Sequence, residues 1–375
     1  MRVLHTIGEM GTGGAESLVV ELVRRGADVG WVSDVASAGG RREDELVSAG
    51  LATAHRVPLS RRRPGGLVRA VSATRDAIRA AQPDVVLAHN VGATVATWLA
   101  VRSLRRSLPI ATVFHGVAAR DYRPAALVLT TAPQAVVTVS QVIADRLLDA
   151  GLRRHAPIVI SNAVTAPAVP DREDARKELD LDLDVPVALC AARLAVQKRH
   201  DVLLQAWART TSGGVLLVAG DGPEAGAVRD EAARLRLGDR VRLLGARSDV
   251  PRLLSAADVF VLSSDWEGLP VALLEAMACA RPVVSTAVDG VIEVLRHGGG
   301  LTAPPGDPAA LAEALDRLLL DPALARATGE EAAAVVREHY DPGRMVRRYD
   351  TLLRSLADQP DPPDDPDRPE ETTRP

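Results

Sequence analysis

Glu267 and Glu275 stand eight residues apart in Asp265-Trp-Glu-Gly-Leu-Pro-Val-Ala-Leu-Leu-Glu-Ala-Met-Ala-Cys279. Glu275 is the only charge in a stretch that reads as a helix from Leu269 to Ala280. A carboxylate among such neighbours costs on the order of several kcal/mol unless a ligand hydroxyl or backbone amides hydrogen-bond it; the other reading is that it edges into solvent. Eight residues of helix span roughly 12 Å. That exceeds the roughly 5–9.5 Å between the two carboxyls of a glycoside hydrolase, so the spacing suits two contacts along one extended ligand.

Cations cluster in Ala192-Arg-Leu-Ala-Val-Gln-Lys-Arg-His-Asp201, between a strand and the helix expected over His200–Arg209. Positive groups at a strand's carboxyl edge, near a helix N-terminus, are where α/β proteins hold phosphates. Of the 45 Lys and Arg residues, only Lys177 and Lys198 are lysines. Choosing a compact ammonium at Lys198 in so arginine-rich a chain points, with Arg193, to a pyrophosphate clamp; a surface salt bridge is the alternative for Arg193.

A third candidate is Met10-Gly-Thr-Gly-Gly-Ala-Glu-Ser-Leu-Val-Val20, a glycine loop between a short strand and an amphipathic helix. The dinucleotide fingerprint fits at Gly11 and Gly13 but fails at Glu16. His89 and His115 each end a strand at the edge where such sheets bind ligands, and glycine follows His115. His5, His155, His200, His297 and His339 lack that context, and no grouping has metal-ligand spacing, so no metal site is expected.

The elements that must position these residues alternate in βαβ order. Strands are expected at Val3–Ile7, Val85–Ala88, Ile110–Phe114, Val136–Val139 and Ile158–Ile160, then Val187–Ala191, Val215–Ala219, Val241–Leu244, Val259–Leu262 and Val283–Ser285. Repeated βαβ units imply parallel sheets with helices on both faces. Two Rossmann-like domains are predicted, 1–165 and 166–338, with the proline- and charge-rich segment Ala166–Asp174 at the seam. Helical periodicity continues through Pro308–Leu320, Ala323–Glu338 and Arg344–Leu356, giving a C-terminal helix over 339–357. The acidic, proline-rich tail 358–375 cannot bury apolar surface and is predicted to be disordered; its Asp365-Pro-Asp367 carries no metal reading in such sequence.

Composition limits the classes further. A length of 375 residues with 47% hydrophobic content suits two globular cores. Cys190 and Cys279 sit in apolar runs without partner spacing, as small hydrophobes do, which fits a reducing cytoplasmic setting. Neither a signal-peptide pattern nor a run of about 20 apolar residues is present. Residues 1–165 carry 20 Arg against 13 Asp and Glu, whereas the remainder carries 25 basic against 36 acidic residues. Arg61–Arg63 and the cluster Arg102, Arg105 and Arg106 are either a solvated surface or a face for an anionic acceptor or the inner face of a membrane.

These residues, taken in order, resemble the retaining glycosyltransferases of family 4, whose GT-B fold sets two Rossmann-like domains across a cleft. The resemblance runs from about Met1 to Tyr349: Gly13-Gly14-Ala15-Glu16, His115-Gly116, Ser140, Asn162-Ala163-Val164, Arg193-Leu194 with Gln197-Lys198, Gly220-Asp221-Gly222-Pro223, Val241-x-x-Leu244-Gly245, and Glu267-Gly268-Leu269-Pro270 through Glu275-Ala276-Met277. The last is the family's E-x7-E signature.

The resemblance implies an N-terminal acceptor domain, a C-terminal nucleotide-sugar domain and a last helix crossing back to the first. It places Gly13 and Gly14 against a diphosphate that Arg193 and Lys198 neutralise. Glu275 would bind the ribose, Glu267 with Gly268 and Leu269 the donor sugar, and His115 would reach that sugar from across the cleft. The implied catalytic set is His115, Glu267, Arg193 and Lys198, with no metal and no cofactor beyond a UDP- or GDP-sugar substrate. The acceptor would be a small molecule, glycan or lipid-linked hydroxyl compound.

Two departures stand out. Ala280 replaces a glycine the family commonly has before Pro-Val, a small-for-small change expected to matter little. Asp289 stands where paired glycines are frequent, and either recognises an amino or hydroxyl group on the sugar or faces away. A pseudo-glycosyltransferase, a non-catalytic nucleotide-sugar-binding subunit, and a nicotinamide oxidoreductase built on Gly11, Gly13 and Asp34 remain as other readings.

Overall fold

Short, fully apolar runs become strands because a parallel sheet covered on both faces buries every side chain. The computed structural model of the protein describes residues 1–11, 13–59, 65–104 and 107–358. Arg61–Arg63, Arg105, Arg106 and the tail from Gln359, with its Asp365 and Asp367, lie outside them.

The first sheet contains β1 (Arg2–Thr6), β2 (Val32–Ser37), β3 (Ala52–Arg56), β4 (Val85–Ala88), β5 (Ile110–Phe114), β6 (Ala135–Thr138) and β7 (Ile158–Val159). Its order is β3-β2-β1-β4-β5-β6-β7, parallel throughout. The second contains β8 (Val187–Ala191), β9 (Val215–Ala219), β10 (Val241–Gly245), β11 (Val259–Leu262), β12 (Val283–Thr286) and β13 (Gly300–Ala303), in the parallel order β10-β9-β8-β11-β12-β13. The molecule is thus two Rossmann-like α/β units.

Strand order reverses between β1 and β4 and again between β8 and β11. Such switch points open crevices at the strands' carboxyl ends, where ligands bind in open α/β sheets. β2, β3 and β13 escape the sequence pattern for compositional reasons. β2 contains the buried polar residues Ser33, Asp34 and Ser37, β3 is a half-exposed edge strand, and β13 begins with glycine.

Helix starts are encoded locally. Asn90 accepts from the Ala93 amide at 2.7 Å and starts the helix Val91–Ser103. Asp307, Asp321 and Asp341, each followed by proline, cap the last three helices. The final helix, Pro342–Ala357, returns to the first unit: Asp350 accepts from Trp31 Nε1 at 2.7 Å, and Arg354 donates to the Val29 carbonyl at 2.9 Å.

Candidate active site

The switch point of the second sheet brings the loops after β8 and β11 together. Gln197 Nε2 donates to the Trp266 carbonyl at 2.7 Å, the Asp265 amide to the Gln197 carbonyl at 2.9 Å, and Ser263 Oγ to the Lys198 carbonyl at 2.8 Å. The Lys198 ammonium lies 2.5 Å from Glu267 Oε1, and Ser264 Oγ donates to the same oxygen at 2.6 Å. Lys198 is therefore paired with a carboxylate from the neighbouring loop, whereas sequence reasoning grouped it with Arg193 alone. An ammonium has three donors, so Lys198 keeps others for a ligand.

Arg193 is exposed, and among the described residues it has no hydrogen bond or ion pair. Its backbone is nevertheless held tightly. Leu194 exchanges hydrogen bonds with the following loop, donating to the Asp221 carbonyl at 3.0 Å and accepting from the Glu224 amide at 3.0 Å. A Cβ on Gly220 or Gly222 would lie 1.9 Å from the Ala192 carbonyl or 2.3 Å from that of Leu194. The Gly220-Asp-Gly-Pro223 motif thus seats the arginine.

Pro270 precedes the helix Val271–Ala278, which starts later than the periodicity predicts because Glu267–Pro270 form its entry loop. The 12 Å rise estimate therefore does not apply across the loop. The two carboxylates have separate surroundings: Glu267 meets Lys198, while Glu275 accepts no hydrogen bond among the described residues. Burial pushes the Glu275 carboxyl above its ordinary range, and the charge of Arg42 opposes this. Cys279 is half-buried and Cys190 buried, both unpaired thiols raised by burial.

Ala280 corrects an expectation. The Arg281 amide bonds the Ala276 carbonyl at 3.0 Å and the Ala280 amide bonds that of Met277 at 3.0 Å, a Schellman cap in which Ala280 takes φ 54°. An alanine in left-handed geometry is strained, so its exchange for the family's glycine is not neutral.

From the first unit come Gly13 and Gly14 at the start of the helix Gly14–Gly26. A Cβ on Gly14 would lie 3.3 Å from Val271 Cγ2, so this helix start faces the start of the Glu275 helix. Burial raises the Glu16 carboxyl, with Arg42 and Arg193 pulling it back. Arg42 went unnoticed in sequence; it donates to the Gly13 carbonyl at 3.0 Å and Ser17 Oγ at 2.5 Å. One arginine among many, after Gly39-Gly40, offered no local signal beyond that glycine pair.

His115 directly follows β5, with Nε2 buried and without a hydrogen-bond partner. Behind it the rings of His89 and His5 continue across β4 and β1: centroids are 6.3 Å apart for His115 and His89, and His89 Nε2 lies 3.2 Å from His5 Nδ1. Desolvation lowers His115 and His5 to about 4 and His89 well below its usual value, so all three are neutral near pH 7. Asp34 lies 2.8 Å from His55 Nε2. It is committed within the sheet and does not stand free for a ribose.

The carboxyl edges of the two sheets meet. A Cβ on Gly268 would lie 2.2 Å from the His115 carbonyl, and Asn162 Nδ2 donates to the Leu269 carbonyl at 3.2 Å. Asp289 pairs with Arg146 across the cleft, so in this arrangement it neither awaits a sugar nor faces away. Glu293 accepts from the Gln141 amide at 3.0 Å, covering the start of the helix Gln141–Asp149. Among the described residues no group of three or more His, Cys, Asp or Glu is arranged to hold a metal.

Known protein families match most of the chain. The family described as Glycosyltransferase Family 4 matches residues 12–166, and Glycosyl transferases group 1 matches residues 171–335. The chain belongs to the GT-B glycosyltransferases of the family 4 type. It is 33% identical over 185 residues to N-acetyl-alpha-D-glucosaminyl L-malate synthase of Bacillus anthracis, covering 48% of this chain and 49% of that protein. It is 33% identical over 175 residues to alpha-D-kanosaminyltransferase of Streptomyces kanamyceticus, covering 45% of each. The chain thus spans about half the length of these curated relatives. The crystal structure of Anabaena HepE in complex with UDP-glucose superposes with a TM-score of 0.84 at 22% identity, over 95% of this chain and 100% of that one. At that identity the likeness concerns the GT-B fold, with its two parallel-sheet units.

Proposed function

We propose that this glycosyltransferase transfers a sugar, with retention, from a nucleoside diphosphate donor to a hydroxyl acceptor. The observation that carries the reading is the pair Arg193 and Lys198 at the β8/β11 switch point, opposite the Gly13-Gly14 helix start. A diphosphate placed there meets a guanidinium free of protein partners, an ammonium and a helix N-terminus. Glu275 binds the ribose; Glu267, Gly268 and Leu269 line the sugar. The relatives named above are called a synthase of a glucosaminyl malate and a kanosaminyltransferase, and Anabaena HepE was crystallised with UDP-glucose. These names support a nucleotide-sugar donor and a small-molecule acceptor; a UDP- or GDP-sugar, and a glycan or lipid-linked acceptor as the other acceptor classes, complete the proposal.

In the proposed reaction the bond between the anomeric carbon and the diphosphate oxygen breaks, and the electron pair leaves with the diphosphate. Arg193 and Lys198 stabilise that charge as it develops, so no metal is required. The acceptor oxygen bonds the anomeric carbon from the face the diphosphate leaves, and its proton passes to the departing phosphate oxygen. Glu267 steadies the positive sugar, and neutral His115 hydrogen-bonds a sugar hydroxyl from across the cleft.

Among the described residues no helix is long and apolar enough to cross a membrane. We place the protein in the cytoplasm, with peripheral membrane contact through the arginine-rich first unit when the acceptor is lipid-linked. Arg102 of that unit lies 5.2 Å over the Trp98 ring.

Melting temperatures with UDP, GDP, ADP, TDP and NAD test the reading. A nucleoside diphosphate stabilises the protein by mass action; stabilisation by NAD alone would transfer the case to an oxidoreductase. Product anomeric configuration by NMR tests retention, and turnover in EDTA tests metal independence.

A further inference from the structure

The Gly13 turn and the Glu275 helix face each other, and one cation of the first unit stands where they meet. Met10 and Gly39 are zipped together by the Met10 amide on the Gly39 carbonyl at 2.9 Å, and the Arg42 amide donates to the Met10 carbonyl at 3.2 Å. Gly40, at φ 144°, lets the two segments touch, since a Cβ there would lie 2.4 Å from the Met10 carbonyl oxygen. The Arg42 side chain is thereby laid on the first turn of the helix Gly14–Gly26, where Nη1 bonds the Gly13 carbonyl and Ser17 Oγ. Its Nε and Nη2 groups donate to no described residue.

Across the interface, Gly14 abuts Val271, and Glu275 lies one helical turn further along the same face. No hydrogen bond or ion pair within 4.0 Å joins Arg42 to Glu275. After burial itself, each is the leading electrostatic influence on the other. A donor fork with unused N–H groups therefore confronts an unpaired carboxylate across a gap. A ligand filling it must accept from one side and donate to the other. A vicinal diol does both, because each hydroxyl is donor and acceptor at once.

We propose that Arg42 is a specificity-determining residue for the donor, closing the ribose site opposite Glu275 and selecting ribonucleoside over 2′-deoxyribonucleoside diphosphates. This rests on the reading that Glu275 binds a donor ribose; the contribution of Arg42 from the opposite unit is what it adds. A sugar ring lacking one hydroxyl leaves either the guanidinium or the carboxylate short of a partner in this partly buried site, which weakens binding by about 10- to 100-fold. Contact from both units also makes the ribose a bridge between them.

The test is calorimetric binding of UDP, 2′-deoxy-UDP, GDP and 2′-deoxy-GDP to the wild-type chain and to Arg42→Gln, Arg42→Lys, Ser17→Ala and Glu275→Gln, each checked for an unchanged melting temperature. The wild type is expected to favour the ribonucleotide of the base it accepts by about 10-fold or more. Arg42→Gln should bring that ratio close to one, with Arg42→Lys between the two because it keeps the charge but loses the fork. Ser17→Ala should keep the ratio. An unchanged ratio in Arg42→Gln overturns the proposal, and so does equal weakening of both nucleotides reproduced by Ser17→Ala, which would make Arg42 a brace of the Gly13 turn. A wild-type chain that binds none of the four overturns the donor reading itself.

Discussion

Glu267 and Glu275 differ in what they touch, and their substitution should separate binding from turnover. Glu275 has no protein hydrogen bond to lose, so Glu275→Gln should raise donor KM and leave kcat nearly unchanged, as loss of uniform binding does. Glu267 bonds Lys198 and Ser264; Glu267→Gln should lower kcat by about 100-fold or more, the scale of one lost electrostatic contact in the transition state. Because the two share one site, Glu267→Gln combined with Lys198→Ala should cost less than the sum of the single losses. Steady-state kinetics at saturating acceptor decides both points, and interchanged phenotypes would reverse the assignment.

The histidines make the second residue-scale test. With folded values about 4 for His5 and His115, against an unfolded value about 6.5, the unfolded chain binds more protons between those limits. Stability is thus fully present above pH 6.5 and falls as pH drops towards 4. His5→Gln should flatten this decline in melting temperature. A decline of unchanged slope would place its origin elsewhere. The raised carboxyls of Glu275 and Glu293 act in the opposite sense, which is why the comparison is between variants.

At the scale of elements, the helix carrying Glu275 ends on a strained residue. Ala280→Gly removes the left-handed penalty at φ 54°, while glycine's greater unfolded freedom takes part of the gain back. A net stabilisation of about 0.5–1 kcal/mol is expected from urea unfolding. No gain would mean that the cap relaxes around alanine without cost. The reverse substitution at the cleft, Gly268→Ala, puts a methyl group 2.2 Å from the His115 carbonyl oxygen. It should lower kcat/KM without changing the circular dichroism spectrum.

For the whole molecule, the two units are latched by Arg146 with Asp289 and by Glu293 on the Gln141 amide. These are ion-pair and capping contacts at an interface, suited to opening and closing, and the groups proposed to hold the donor lie on both units. Nucleoside diphosphate should reduce the radius of gyration in solution scattering, with the segment near Asn162–Pro170 and the last helix as hinges. Glu293→Gln with Arg146→Ala should shift the ligand-free profile towards a larger radius of gyration. Profiles that superimpose with and without ligand would remove closure from the mechanism.

Much of this protein is written locally. Largely apolar runs three to five residues long became β1 and most of the later strands, aspartate-proline pairs became helix caps, and glycines before helices or in tight loops stayed where backbone must approach backbone. Such features depend on neighbours within a turn or a strand, so they survive in the sequence. Polar or edge strands such as β2, β3 and β13 do not, because their burial comes from partners elsewhere. The candidate site residues divide the same way. Arg193, Lys198, Glu267 and Glu275 were legible by type and spacing, yet Lys198 pairs with Glu267 across 69 residues, and Arg42 acquires its meaning only beside Gly13 and Glu275. Asp289 read as a contact for sugar or solvent until Arg146 met it. Which charges face each other across a cleft depends on how two independently encoded sheets are set edge to edge, and that is decided by packing over the whole chain.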